Sequence, residues 1–144
     1  MDLDFNNKKD RNMCLVTWNI APKIAEEDRV CYKVLLYDGK SYESPYYEAK
    51  WEVGKKHHCR KKSSVHGEKG CNIIEGGYFH TYQREEDAIA AAVHGTFPKD
   101  AVVFKSIIPK GSIMWPGFTS ISRVDSYASK DLVIKENVYT HKRK

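Results

Sequence analysis

The chain has 144 residues, a formal net charge of +5, 41% hydrophobic residues and 30% charged residues. This length is typical of one domain, and the composition is sufficient for one apolar core. No apolar run approaches the roughly 20 residues of a membrane-spanning helix, and the polar N-terminus lacks the apolar centre of a secretory signal. We therefore expect a single domain over residues 1–144 in the cytoplasm, with no membrane partner, loose termini at 1–12 and 137–144, and reduced cysteines.

The first half of the chain is typical of β-strands. Residues 13–18 favour a first strand, and residues 30–37 are the clearest one, with β-branched and aromatic side chains throughout. Asp38-Gly39 then predicts a hairpin turn, with residues 41–47 as the return strand and Pro45 at its end or edge.

The second half contains one helical pattern between further strands. Residues 71–74 and 78–82 are extended on either side of a glycine turn, and residues 84–94 predict the main helix, with an acidic first turn and an alanine-rich centre. Strands are predicted at 101–108, 112–115 and 132–136, and the serine-rich segment 119–129 is predicted as loop. This order predicts an α+β fold with a mixed, mostly antiparallel sheet.

The positive charge is concentrated in residues 50–69. Seven Lys/Arg (Lys50, Lys55, Lys56, Arg60, Lys61, Lys62 and Lys69) and two Glu (Glu52 and Glu68) give +5 there, so the rest of the chain is neutral in sum. The stretch has glycines and little periodicity, which predicts a long basic loop of the kind that is either functional or merely solvated. Lys55, Lys56, Arg60 and Lys61 are candidate phosphate ligands, because cationic groups make charge-assisted hydrogen bonds to phosphate.

The same region contains residues of the zinc-binding types. His57, His58, Cys59, His66 and Cys71 lie within a short span, but their spacing matches no standard zinc site and the neighbouring lysines oppose a dication. We therefore predict no metal site.

A second candidate site precedes the predicted helix. Tyr78, His80, Thr81 and Tyr82 follow a glycine turn, and helix N-termini bind anions while aromatic faces stack on bases. Tyr78 or Trp115 would stack on the base. The alternative is structural, with Thr81 capping the helix and His80 a hydrogen-bonded polar residue near the core.

Four short motifs resemble those of ADP-ribosyltransferase-like domains. They are VCYK at 30–33, FHTY at 79–82, VVF at 102–104 with IPKG at 108–111, and YASKDLVI at 127–134. The resemblance implies a nucleotide-shaped pocket for an NAD- or ADP-ribose-like ligand, with Lys33 among its ligands. Lys33 stands where the family usually has Arg, and Ser129 and Asp131 stand where it has two glutamates. If the chain is an enzyme, the resemblance implies that Asp131 and Lys33 are its catalytic residues.

The layout CYKVL, IEGGYFHTY, IIPKGS and SYASKDLVI also resembles small proteins of phages and gut Bacteroidetes. Some phage proteins of this size sequester nucleotide signals of bacterial defence without cleaving them. The leading hypothesis is therefore non-catalytic binding of a small phosphorylated nucleotide, with sequestration of a defence signal as its role and no further cofactor. The alternatives are inhibition of a host defence complex by protein contact, and an NAD-using transferase. A homo-oligomer is compatible with each.

Overall fold

Extended backbone dominates the computed structural model, which describes residues 15–17, 21–44, 50–68, 71–119 and 123–143. Over these residues, 58% of the chain is strand and 9% is helix. The strands are β1 (Leu15–Thr17), β2 (Lys23–Ile24), β3 (Arg29–Tyr37), β4 (Tyr42–Glu43), β5 (Lys50–Trp51), β6 (Lys56–His58), β7 (Ser64–Glu68), β8 (Cys71–Gly76), β9 (Phe79–Tyr82), β10 (Asp100–Ile108), β11 (Ile113–Thr119), β12 (Asp125–Ser129) and β13 (Asp131–His141), and the helix α1 (Glu85–His94) follows β9. The predicted α+β class is therefore wrong, because the described part of the chain is a mostly antiparallel β-sheet with one helix.

The segments with the strongest local signals form as predicted. The strands predicted at 30–37 and 101–108 are confirmed as β3 and β10, which pair antiparallel along their whole length. The helix predicted at 84–94 is confirmed as α1, whose Ala88 and Ala92 are fully buried against β3 and β10. Small alanine side chains allow the helix to lie close to the sheet.

The hairpin predicted at Asp38-Gly39 is also confirmed. Tyr37 of β3 pairs with Tyr42 of β4, and Asp38 Oδ1 accepts hydrogen bonds from two backbone N–H groups of the turn, each at 2.8 Å. The remainder of the predicted return strand, including Pro45, lies outside the described residues, as do residues 1–12.

Two segments predicted as irregular are strands. The serine-rich residues 125–129 form β12. The buried Ser129 hydroxyl donates to the Asp131 carbonyl at 2.9 Å, so this polar group remains hydrogen-bonded inside the fold. β11 continues through Pro116 and Gly117, beyond the end of the strand predicted at 112–115. A Cβ on Gly117 would lie 2.3 Å from a backbone oxygen of β1, so the glycine permits the close approach of that strand.

The basic stretch 50–69 is not one long loop, which is a further correction. It contains β5, β6 and β7, of which β6 pairs with β13 and β7 pairs with β8. β6 and β7 are the two ends of the strand path β6-β13-β10-β3-β9-β12-β11-β1-β8-β7. Charged side chains are common on edge strands, so a lysine-rich edge strand without apolar alternation resembles a loop in the sequence.

The order of the strands requires the sheet to curl. Nine spacings of about 4.8 Å would separate β6 from β7 by about 43 Å in a flat sheet. Residues 59–63 join these two strands and span at most about 21 Å. The sheet therefore bends back on itself. The bend falls near β3 and β9, which pair only at Tyr32 and Tyr82 within the described residues.

The curled sheet encloses the main core. This core combines Leu35, Phe104 and Leu132 from one half of the sheet with Phe79, Met114 and Tyr127 from the other. The helix covers the opposite face of the first half, and a smaller cluster around Leu15, Ile74 and Trp115 lies on the opposite face of the second half.

The C-terminal boundary also differs from the prediction. β13 continues to His141 and pairs with β10 as far as Ala101, so residues 137–141 belong to the sheet instead of a loose terminus. Among the described residues, no helix is long and apolar enough to cross a membrane.

Candidate functional site

The lysine predicted to hold a phosphate lies in the core. Lys33 is two residues from Cys31 and two from Leu35 along β3, so the three side chains share one face of the strand. Cys31 and Leu35 belong to the core inside the curled sheet, and the Lys33 side chain therefore points into that core. It is 3% exposed, and its Nζ donates to the His80 carbonyl at 2.9 Å. Burial lowers the pKa of Lys33 to about 8, which the nearby Cys31 and Cys59 thiols partly oppose.

The three predicted ligands on β9 pack within the fold. His80 is 7% exposed, its Nε2 has no hydrogen-bond partner, and burial together with the charge of Lys33 lowers its pKa to about 3, so the ring is neutral. Thr81 is buried beside Cys31, whose pKa burial raises to about 12. Tyr82 packs with the helix cluster. Thr81 does not cap the helix, because the N-cap residue is Arg84.

The two aromatic residues predicted to stack on a base contact each other. Tyr78 and Trp115 pack edge to face with ring centroids 6.5 Å apart, and both are buried. The Lys130 ammonium lies over the Tyr78 ring, 4.5 Å from its centroid. A ring in this position has no free face for a base, so this pair holds the fold together.

The predicted basic ligands lie on or next to β6 and in the segment that connects the two ends of the strand path. Lys56 is on β6, and Arg60 and Lys61 are exposed in the connection to β7. Lys55 forms an exposed ion pair with Glu52 at 3.8 Å, of the kind that contributes little to stability. Their surface is therefore separate from the buried Lys33 and His80.

The predicted catalytic carboxylate has a different partner from the one expected. Asp131 begins β13 opposite His58 of β6, and the His58 Nδ1 lies 2.7 Å from Asp131 Oδ1. Lys33 and Asp131 thus belong to different surroundings and do not fit an NAD or ADP-ribose site between them. The described residues also hold no cluster of three or more metal-ligating side chains.

A groove that the sequence did not indicate lies beside the curled sheet and has a volume of about 890 Å³. It is formed by β2 and the segment that leads into β3, by the turn between β10 and β11, and by β11 and β12. Its lining consists of Lys23, Ile24, Ala25, Glu26, Glu27, Arg29, Gln83, Lys110, Gly111, Met114, Pro116 and Tyr127.

Arg29 and Tyr127 form the polar centre of this groove. The Arg29 guanidinium is exposed, its Nη1 donates to the Tyr127 hydroxyl at 3.4 Å, and it lies 5.8 Å from the centroid of that ring. Tyr127 itself is buried, so the guanidinium contacts a side chain that the core holds in position. An arginine fixed in this way can present its remaining N–H groups to an anion.

Backbone hydrogen bonds fix one wall of the groove. Ala25 N donates to Ser112 O at 2.9 Å, Gly111 N donates to Ala25 O at 2.8 Å, and Lys110 N donates to Asp28 Oδ1 at 2.9 Å. Gly111 has φ of +91°, a conformation that favours glycine. The segment 23–28 is therefore tied to the β10–β11 turn, and the groove is formed before any ligand arrives.

None of the lining residues was predicted as a ligand from the sequence, although Lys110, Gly111 and Tyr127 lie in motifs that resemble ADP-ribosyltransferase-like domains. Asp28 and Lys110, which are hydrogen-bonded in the groove wall, are 82 positions apart in the chain. The local signals that were present, namely Arg29 at a strand start and a Pro-Lys-Gly turn, do not reveal that they share a groove.

Comparison of the chain with protein-family models, curated proteins and solved structures found no match. The resemblance to ADP-ribosyltransferase-like domains therefore stays a prediction that rests on the four short motifs.

Proposed function

We propose that the protein binds a small phosphorylated nucleotide in the groove at Arg29. The observation that carries this proposal is the exposed Arg29 guanidinium, held against the buried Tyr127 inside a groove of about 890 Å³. A preformed concave site with one fixed cation is the usual arrangement for binding a small anionic molecule.

The lining also suits the other parts of a nucleotide. Ile24 and Pro116 provide an apolar surface on which a base can pack, and Ile24 is 59% exposed, so part of it is available to a ligand. Lys23 and Lys110 are exposed at the same groove and increase its attraction for phosphate.

Binding without turnover is part of the proposal. The residues implied for catalysis, Lys33 and Asp131, are absent from the groove lining, and each is engaged elsewhere. The proposed site is also different from the basic surface near Lys55 and Arg60. Sequestration of a nucleotide signal remains a prediction that depends on this binding.

Two matched arginine variants test the location of the site. Titration calorimetry of a panel of mononucleotides and dinucleotides is carried out on the wild type, Arg29→Met and Arg60→Met. We expect Arg29→Met to weaken binding by at least about tenfold, because a charge-assisted hydrogen bond contributes about 1.5–3 kcal/mol. We expect Arg60→Met to leave the affinity unchanged. The reverse result assigns binding to the basic surface, and no heat with any nucleotide contradicts the proposal.

A further inference from the structure

The groove carries both signs of charge. Three cationic side chains line it (Lys23, Arg29 and Lys110), and two carboxylates line it (Glu26 and Glu27). The lining therefore has a formal charge of three minus two, which is +1. A groove that binds a polyphosphate is expected to have a larger excess of positive charge, because each additional phosphate charge needs a positive partner when it leaves water.

The two carboxylates act on the arginine that the phosphate would contact. The pKa of Arg29 is raised chiefly by the Tyr127 hydroxyl, and the negative charges of Glu27 and Glu26 raise it further. Both carboxylates are exposed and stand only two and three positions before Arg29 in the chain. A second phosphate beside Arg29 would therefore lie close to the negative charges of Glu26 and Glu27.

Asp28 does not line the groove and is therefore outside this charge count. Its Oδ1 accepts the Lys110 backbone N–H at 2.9 Å, which ties the segment that contains Glu26 and Glu27 to the turn that contains Lys110. Carboxylate oxygens also accept hydrogen bonds from hydroxyl and amino groups, and a nucleotide has such donors on its ribose and base.

On the premise that the groove is the nucleotide site, we infer that its ligand carries one negative charge, as a phosphodiester does, and that Glu26 and Glu27 exclude polyphosphates. One phosphate charge is matched by the excess of +1, and the carboxylates take the ribose or base donors. Charges of the same sign placed against a competing ligand are an effective means of specificity.

The test compares two probes with one base and different charge. Adenosine 3′,5′-cyclic monophosphate and adenosine triphosphate are titrated into the wild type at low ionic strength without divalent cations. We expect the cyclic diester to bind at least about tenfold tighter, since like charges near the groove repel the triphosphate with an energy of order 1 kcal/mol or more per pair.

The variant Glu26→Gln/Glu27→Gln tests the cause of this preference. We expect it to raise the triphosphate affinity by about tenfold and to change the diester affinity much less. The control is Glu85→Gln/Glu86→Gln, which removes an equally exposed carboxylate pair from the first turn of α1 and should change neither affinity.

Each outcome bears on a different statement. Tighter binding of the triphosphate to the wild type overturns the inference and leaves the proposed function standing. Equal effects of the two double variants also overturn it, because they would show a general effect of net charge. If neither probe nor any nucleotide of the panel binds, the proposed function itself fails.

Discussion

The buried charge of Lys33 makes the stability of the protein depend on pH in the alkaline range. The pKa of Lys33 falls from 10.5 to about 8 in the folded protein, chiefly because of burial. Between these two values the folded protein binds fewer protons than the unfolded chain, so folding becomes more favourable as the pH rises. The pKa difference corresponds to about 3 kcal/mol of stability gained between pH 7 and about pH 10.5.

Lys33→Met removes this dependence. At neutral pH the substitution eliminates a buried charge but also leaves the His80 carbonyl without its donor, a loss of about 1–3 kcal/mol, so its net effect there is small. The informative quantity is the difference between wild type and variant as a function of pH. Cys31, whose pKa burial raises to about 12, lowers stability above pH 9 in both proteins, so the difference between them reports mainly on Lys33.

The assay is urea unfolding followed by tryptophan fluorescence at a series of pH values, with Lys135→Met as the control at an exposed lysine of β13. We expect the difference in unfolding free energy between wild type and Lys33→Met to change by about 3 kcal/mol in favour of the wild type from pH 7 to pH 10.5. Lys135→Met should follow the wild type. Parallel curves for wild type and Lys33→Met would refute the reasoning.

Three further predictions concern other parts of the fold. The pKa of His80 falls from 6.5 to about 3 through burial, so between these pH values the folded protein binds fewer protons than the unfolded chain. Acidification from pH 6.5 to pH 3 should therefore cost up to about 5 kcal/mol of stability. His80→Phe should lack this loss, and equal losses in the two proteins would contradict this account. Gly77→Ala should lower the unfolding midpoint much more than Gly39→Ala. Both glycines have φ above +80°, but only a Cβ on Gly77 would lie too close to backbone, 2.4 Å from the Cα of Ser63. Equal shifts of the midpoint would show that the structure relieves this contact. Ile24→Ser should weaken nucleotide binding about fivefold. Its cross-strand neighbour Ile113 does not line the groove, and Ile113→Ser should leave the affinity unchanged in the same titration.

The parts of the fold that were predictable have strong local signals. β3 and β10 are apolar runs with β-branched residues, and α1 combines an acidic first turn with an alanine-rich buried stripe. β12 was missed because serine is a poor marker of strands, although its hydroxyls can hydrogen-bond to nearby backbone. β6 and β7 were missed because strands at the ends of the sheet have no apolar alternation.

The placement of side chains was harder to predict than the strands. Lys33 was expected at a ligand site because of the resemblance of residues 30–33 to a family motif, but the path of β3 buries it in the core, where a lysine is seldom found. The pairing of His58 with Asp131 joins residues 73 positions apart, and the groove joins Arg29 to Tyr127 across 98 positions. Such long-range contacts follow from the order of the strands in the sheet, for which no short motif gives a signal.

The most direct test of the central claim is a map of where a nucleotide binds. Adenosine 3′,5′-cyclic monophosphate is titrated into isotope-labelled protein, and the backbone amide shifts are followed by NMR. We predict that the perturbed amides cluster in residues 23–29, in residues 110–115 and at Tyr127, which together form the groove. Shifts confined to residues 55–62, or no shifts at saturating nucleotide, would contradict the account.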